Sequence, residues 1–183
     1  RARPDVRARG LYVIKRDISA YGDSIPVTDG SRLWALFEDA LVAKAGVPAG
    51  HLIFGLIRQL ARPEIVTLDG RRMRFDKGVP TGSPLQPITN NLYLTPLDRG
   101  LYEREGGFYA RYGDDFVFAH PDADVAKDAA RFIDETAVDL DLTIKDEKKV
   151  NSYFTGPGRP SEIWPETRST SRVEYLGCCI EFG

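Results

Sequence analysis

Short apolar blocks along this chain change period as they go, and each period implies an element. Leu11-Tyr-Val-Ile14 is a compact apolar run that leads into Asp17, the pattern of a buried strand. Thr28-Asp-Gly-Ser31 offers helix-capping residues, and Leu33, Trp34, Leu36, Phe37, Ala40 and Leu41 follow at helical spacing until Gly46 and Pro48 stop them. A second helix is predicted over 51–61, closed by Pro63. Asp69-Gly70 between two β-forming stretches is a hairpin signal over 64–75. A glycine- and proline-rich segment, 78–84, precedes a helix predicted over 84–97.

Farther along, 108–111 and 116–119 flank Gly113-Asp114-Asp115 as the arms of a second hairpin. Val125, Ala129, Phe132 and Ile133 predict a helix after Asp122, with 142–145 and 175–182 as closing strands. Residues 153–172, rich in Pro, Gly, Ser and Thr, read as a long exposed loop. The order strand, helices, hairpin, helix, strand suits an α+β domain: an antiparallel sheet of the split βαβ (ferredoxin-like) type with helices on one face.

Composition narrows the picture. The 183 residues suffice for one domain with a core, and 42% hydrophobic with 28% charged residues is ordinary for a soluble globular chain. No apolar run approaches the ~20 residues of a membrane span, and a cytoplasmic protein is expected. Cys178 and Cys179, adjacent and alone, make neither a disulfide framework nor a zinc site and read as small buried strand residues. Net charge is −2, but Arg1, Arg3, Arg7, Arg9, Lys15 and Arg16 crowd the start, either as a solvated face or as phosphate contacts.

Two adjacent acids at a hairpin tip need a reason. Gly-Asp-Asp alone is a weak motif, because Asp-rich turns are common. Asp17, however, ends a strand, where its side chain can meet the tip of a neighbouring hairpin. Three converging carboxylates repel one another unless a cation intervenes, and oxygen-only ligands favour Mg²⁺ or Mn²⁺. Two such ions about 3.5–4 Å apart serve nucleotidyl transfer.

Here the chain resembles a family. Tyr12-Val-Ile-Lys-Arg-Asp-Ile-Ser-Ala-Tyr-Gly-Asp-Ser-Ile25 resembles motif A of reverse transcriptases. Gly78-Val-Pro-Thr-Gly-Ser-Pro-Leu-Gln-Pro-Ile-Thr-Asn-Asn-Leu-Tyr-Leu94 resembles motif B, and Tyr112-Gly-Asp-Asp115 motif C. Leu142-Thr-Ile-Lys-Asp-Glu-Lys-Lys149 is similar to motif D and Tyr175-Leu-Gly-Cys178 to motif E, the primer grip. The pattern is closest to bacterial retron, group II intron and abortive-infection enzymes. The resemblance implies a polymerase palm in which Asp17 and Asp114 hold two metals, with the Ile18 carbonyl as a further ligand. Asp115 assists the metal or sits by the primer end, and Lys148 protonates the leaving pyrophosphate. Tyr21, Gly22, Thr81, Gly82, Ser83 and Asn91 would face template and nucleotide, with Gly82 opening the motif B helix, and Tyr175, Leu176 and Gly177 would face the primer. The implied partners are an RNA template, a DNA or RNA primer and nucleoside triphosphates.

Two departures bear on specificity. The family's Phe or Tyr, five residues after the motif A aspartate, blocks a ribose 2′-OH; here Gly22 holds that place, with Tyr21 beside it. Either the gate is missing, which implies relaxed sugar discrimination, or Tyr21 swings into the space. Thr81 also replaces the usual motif B glutamine. Thr81, Gly82 and Asn90 match the spacing of viral RNA-dependent RNA polymerases instead, although the second motif A acid falls at Asp23 rather than position 22. Only sixteen residues precede Asp17 and nothing after motif E suffices for a thumb, so residues 1–183 are expected to be a palm cut from a larger polymerase. The alternatives are a template-independent or protein-primed enzyme of phage-defence type, and a catalytically idle nucleic-acid-binding palm. Among the smaller candidates, His120 reads as structural, Asp122 and Asp124 as charges at a helix start, and Trp34 and Phe37 as core. Tyr109 and Tyr112 fit either the primer sugar or the sheet.

Overall fold

The computed structural model describes residues 10–156 and 167–181. They form two compact units. One comprises the chain to Ile18, Leu97–Val138 and the residues from Thr143; the other comprises Ser19–Pro96 and Asp139–Leu142.

The first unit is built on a sheet. Strand β1, Leu11–Asp17, is central; its burial pattern is that of an apolar run with water at its ends. The second unit follows it in sequence with α1, Tyr21–Ser24, and α2, Arg32–Glu38, which continues as a π-helical turn over Asp39–Lys44. Ser31 caps α2 by accepting from the Leu33 amide, the cap expected of serine at that position. Leu33, Trp34 and Phe37 are buried, and the rings of Trp34 and Phe37 stack with centroids 6.2 Å apart, so both are core residues.

Helix α3, Ile53–Ala61, precedes the short hairpin β2, Ile65–Val66, and β3, Arg72–Met73, whose turn places Gly70 at φ +81°. The helix predicted over 84–97 is two helices, α4, Gln86–Tyr93, and α5, Thr95–Tyr102. Pro96 explains the break: it has no amide to donate, and its ring would clash with the carbonyl four residues back.

Strands β4, Phe108–Tyr112, and β5, Asp115–His120, form the second hairpin. Helix α6, Ala123–Asp139, carries the expected apolar stripe, and Asp122 accepts from the amides of Asp124 and Val125 at its start. A 3₁₀ turn, Asp146–Lys148, leads into β6, Val150–Phe154. The strand predicted over 142–145 does not form. β1 takes Val150–Phe154 as partner instead, with Leu11 opposite Phe154 and Lys15 opposite Val150. The pairing also lets the Asn151 side chain and the Val150 carbonyl accept from the buried Arg16 guanidinium. Strand β7, Arg168–Thr170, follows, and Tyr153 and Phe154 pair with it, so both ends of the predicted loop 153–172 carry strand structure. Its residues 157–166 lie outside the described residues.

The sheet order is β4-β5-β1-β6-β7, antiparallel except for the β6–β7 edge, which is parallel. Its even-numbered face buries Tyr12, Ile14, Arg16, Phe116 and Phe118, and Arg16 reaches Asp134 of α6 at 3.5 Å. The opposite face clusters Val13, Val117 and Ala119 with Val173. Val173 belongs to a separate two-stranded hairpin, β8, Arg172–Tyr175, and β9, Cys178–Glu181, where a single closing strand over 175–182 was expected. Leu176 and Gly177, at φ +50° and +74°, make the tight turn between them. Cys178 and Cys179 are exposed, not buried, because β9 pairs only with β8 and does not join the main sheet. The mixed α+β architecture is as expected. Among the described residues no helix is long and apolar enough to cross a membrane.

Candidate active site

In the first unit, register does the placing. β1 and β5 pair antiparallel from Tyr12 opposite His120 to Asp17 opposite Asp115. Directly opposed residues share a face of the sheet, so these two carboxylates are cross-strand neighbours at the last rung. Tyr112 opposite Asp115 leaves Gly113-Asp114 as a two-residue turn between β4 and β5. Gly113 has φ +64°, the left-handed conformation that the first position of a II′ hairpin turn requires. The chain thereby brings Asp17, Asp114 and Asp115 to one end of one strand pair.

Electrostatics at this end are those of crowded acids. Partial burial pushes the Asp115 carboxyl above its usual range, and the charges of Asp17 and Asp114 push the same way, against Lys15 and Lys148. The ammonium of Lys148 hydrogen-bonds the Asp17 carboxylate, which raises the lysine above its ordinary value. Lys148 therefore stands at the same strand end as the acids. Among the described residues, no group of three or more His, Cys, Asp or Glu side chains stands in metal-ligating geometry, and Asp17 is engaged by Lys148. The donor set still fits a hard cation: its oxygens are carboxylate, gathered at one end of one strand pair.

Backbone contacts hold the tip. The Ile18 amide donates to the Asp114 carbonyl at 3.4 Å, and the Tyr175 hydroxyl to the Asp115 carbonyl at 3.1 Å and the Ala110 carbonyl at 3.4 Å. Of the three residues expected to face the primer, Tyr175 thus holds the backbone of Asp115, whereas Leu176 and Gly177 form the exposed turn. Arg111 donates through Nη1 to the Gly113 carbonyl at 2.9 Å and grips Asp98 of α5 with Nε and Nη2, at 2.7 and 2.6 Å. Tyr109 also donates to Asp98, at 2.6 Å. Sequence reasoning missed Arg111 and Asp98. The one available signal was an arginine two residues before the turn glycine.

The second unit holds the motif A and B remainder. Tyr21 is 4% exposed and its hydroxyl bonds the Asn90 carbonyl, so its ring is anchored in the core of the second unit. A Cβ built on Gly22 would meet the side-chain amides of Asn90 at 3.5 Å and Gln86 at 3.6 Å, which is ordinary contact. The segment before motif B runs beside motif A: the Val27 amide donates to Asp76 and the Gly78 amide to Ile25. Gly78, at φ +85°, lies so near Asp23 that a Cβ would come within 3.2 Å of its backbone. Thr81 and Gly82 are exposed in the loop, and the helix begins at Gln86, later than the sequence implied. Ser83 accepts from the Leu85 amide, and Asn91 is exposed on α4, its side chain bonded to the Pro87 carbonyl.

His120 is buried between Glu105 and Asp122 backbone groups. Tyr112 is exposed. Lys15 binds the Glu174 carbonyl and Arg16 is buried, while Arg1, Arg3, Arg7 and Arg9 of the basic run lie outside the described residues.

A family model described as reverse transcriptase (RNA-dependent DNA polymerase) matches residues 8–180. Among solved structures, the chain is similar to an apo telomerase from Candida tropicalis truncated from its C-terminal domain. That match has 17% identity, a TM-score of 0.69, and covers 93% of this chain and 34% of that one. A telomerase from Candida albicans in complex with the TWJ fragment of telomeric RNA matches with 13% identity and TM-score 0.68, over 97% of this chain and 32% of that one. Another apo telomerase structure from Candida tropicalis matches with 19% identity and TM-score 0.65, over 94% and 31%. At these identities the likeness is one of fold, and the chain spans about a third of the length of those structures. No curated protein matches it.

Proposed function

We propose, from the premise that this chain belongs to the reverse transcriptase (RNA-dependent DNA polymerase) family, that it is the palm of an RNA-directed DNA polymerase. The observation that carries this reading is the last rung of the β1–β5 ladder, where Asp17 faces Asp115 with Asp114 in the adjoining turn. Asp17 and Asp114 would hold two Mg²⁺ or Mn²⁺ ions, with the Ile18 carbonyl and Asp115 in support. Such ions, when bound, promote ionisation of an attacking hydroxyl and stabilise a leaving phosphate oxygen. The Tyr175 hydroxyl and the Arg111 guanidinium hold the backbone that carries these acids. Lys148, kept charged by Asp17, is the group that protonates the leaving pyrophosphate.

Tyr175, Leu176 and Gly177 would meet the primer, and Tyr21, Gly22, Thr81, Gly82, Ser83 and Asn91 the template and incoming nucleotide. Spanning a third of its structural neighbours supports placing this palm, residues 1–183, in a larger polymerase whose fingers and thumb complete the channel. Sugar discrimination is relaxed in this reading, supported by Gly22 at the place of the family's aromatic gate and by the Tyr21 hydroxyl being held on the Asn90 carbonyl.

A nucleic-acid-binding palm without catalysis is the second reading, favoured by the engagement of Asp17 with Lys148. Primer extension by the full-length protein on an RNA template with Mg²⁺ separates the two. Catalysis predicts extension that Asp114→Asn lowers about 10³-fold, the scale on which removing a preorganised charge group acts. Binding of primer and template without Mg²⁺-dependent extension would overturn the first reading in favour of the second.

A further inference from the structure

Each backbone carbonyl of the 113–115 turn receives a donor from a different part of the sheet unit. The shortest of these bonds is the one from Arg111 Nη1 to Gly113, at 2.9 Å. Arg111 is itself immobilised, with its side chain 11% exposed and two guanidinium nitrogens on the two oxygens of Asp98. Tyr109 closes the arrangement by donating to the same carboxylate. Its hydroxyl stays protonated far into alkaline conditions, chiefly because it is buried and then because it bonds Asp98. A rigid planar fork therefore joins helix α5 to the turn. A lysine, with a point charge on a flexible stem, cannot make both attachments.

We infer that Arg111, held by Asp98 and Tyr109, is a positioning residue that fixes the Gly113–Asp114 peptide and thereby the direction from which the Asp114 carboxylate reaches a divalent cation. This rests on the proposed reading of Asp114 as a metal ligand. Arg111 touches no reacting group; it acts through the turn.

The test uses Arg111→Lys, which keeps the charge, and Asp98→Asn, which keeps the volume, in the full-length protein. Hydrogen exchange should rise about tenfold at residues 113–115, one charge-assisted hydrogen bond's worth, while 116–120 stay protected. Titration with Mn²⁺ alone, followed by electron paramagnetic resonance, should show affinity falling about tenfold, as for other residues that orient metal ligands. In an Asp114→Asn background the same substitutions should cost nothing further. Unchanged exchange at the turn overturns the clamp. Loosening spread over β5, or an equal affinity loss with and without Asp114, reduces Arg111 to a general structural role and overturns the inference. If the unaltered protein binds no Mn²⁺, or Asp114→Asn leaves binding intact, the functional reading falls, and with it the effect on metal approach; exchange at the turn then decides the clamp by itself.

Discussion

Gly100 sits on α5 where that helix meets Phe132 of α6, and Gly100→Ala tests the closeness of the approach. An ideal Cβ there would lie 2.1 Å from Phe132 Cζ and 2.6 Å from Cε1, distances that real atoms do not share. Something has to move, and the ring is not free to do so cheaply. Arg104 lies over it at 4.5 Å, and the same guanidinium is bound to Asp128 and the Gly100 carbonyl. Replacing a helical glycine by alanine should by itself stabilise by about 1 kcal/mol. Overpacking costs roughly 1–3 kcal/mol, and disturbing the cation–π contact about 0.5–1 kcal/mol more. The net expectation is destabilisation by about 0.5–3 kcal/mol, or roughly 1–12 °C in Tm at the 2–4 °C per kcal/mol of a chain this size. Thermal unfolding followed by circular dichroism reads it directly. In a Phe132→Leu background, where the ring edge is gone, the same substitution should become neutral or stabilising. A rise in Tm on the unaltered background would refute the reasoning. The effect also reaches the candidate site, because Asp98 rides on the same helix two residues earlier.

Three further outcomes are expected. Gly22→Phe should restore a ring at the sugar position and lower ribonucleotide incorporation about 10–100-fold relative to deoxynucleotides, the range a steric pocket change can supply; an unchanged ratio in single-nucleotide extension would remove Gly22 from the sugar site. Tyr175→Phe deletes the hydroxyl on the Asp115 carbonyl and should cost about 1 kcal/mol in urea unfolding, with no change in m-value. Hydrogen bonds from Arg104 and then Arg131 hold the Asp128 carboxyl below its usual range, so its contribution is complete above the unfolded value near 3.9 and is lost as pH falls through the lower folded value. Asp128→Asn should therefore lower Tm at pH 6 and flatten its decline below about pH 4; parallel acid limbs would show that this carboxylate does not carry the dependence.

Much of this was legible in the chain because it is locally encoded. β1, the 108–120 hairpin and α6 each announce themselves by period and by turn or cap residues, and the acids lie at their ends. What the sequence hid was pairing at a distance. The run 142–145 is as strand-like as 150–154, and only the partner offered by β1, with Asn151 reaching Arg16, chooses between them. The split at Leu94 was readable from Pro96 but was masked by a continuous apolar pattern. Cys178 and Cys179 looked buried because strand residues usually are, yet β9 has no second neighbour. Tyr21 gave no sign of which space its ring would fill until Asn90 of α4 supplied an acceptor. Arg111 and Asp98 were invisible for the same reason: one is on a strand, the other on a helix, and no spacing rule links them.

The β1–β5 ladder has one more consequence, for how this chain can vary in length. Because side chains alternate faces, deleting or inserting a single residue within Leu11–Asp17 would turn Asp17 to the side of Arg16 and away from Asp115. A change of two residues would restore its facing. Length variation inside that strand is thus quantised in steps of two, while surface loops that set no strand register accept any step. Related sequences, sorted by spacing alone, should show an even–odd rule before Asp17 and none in the loops.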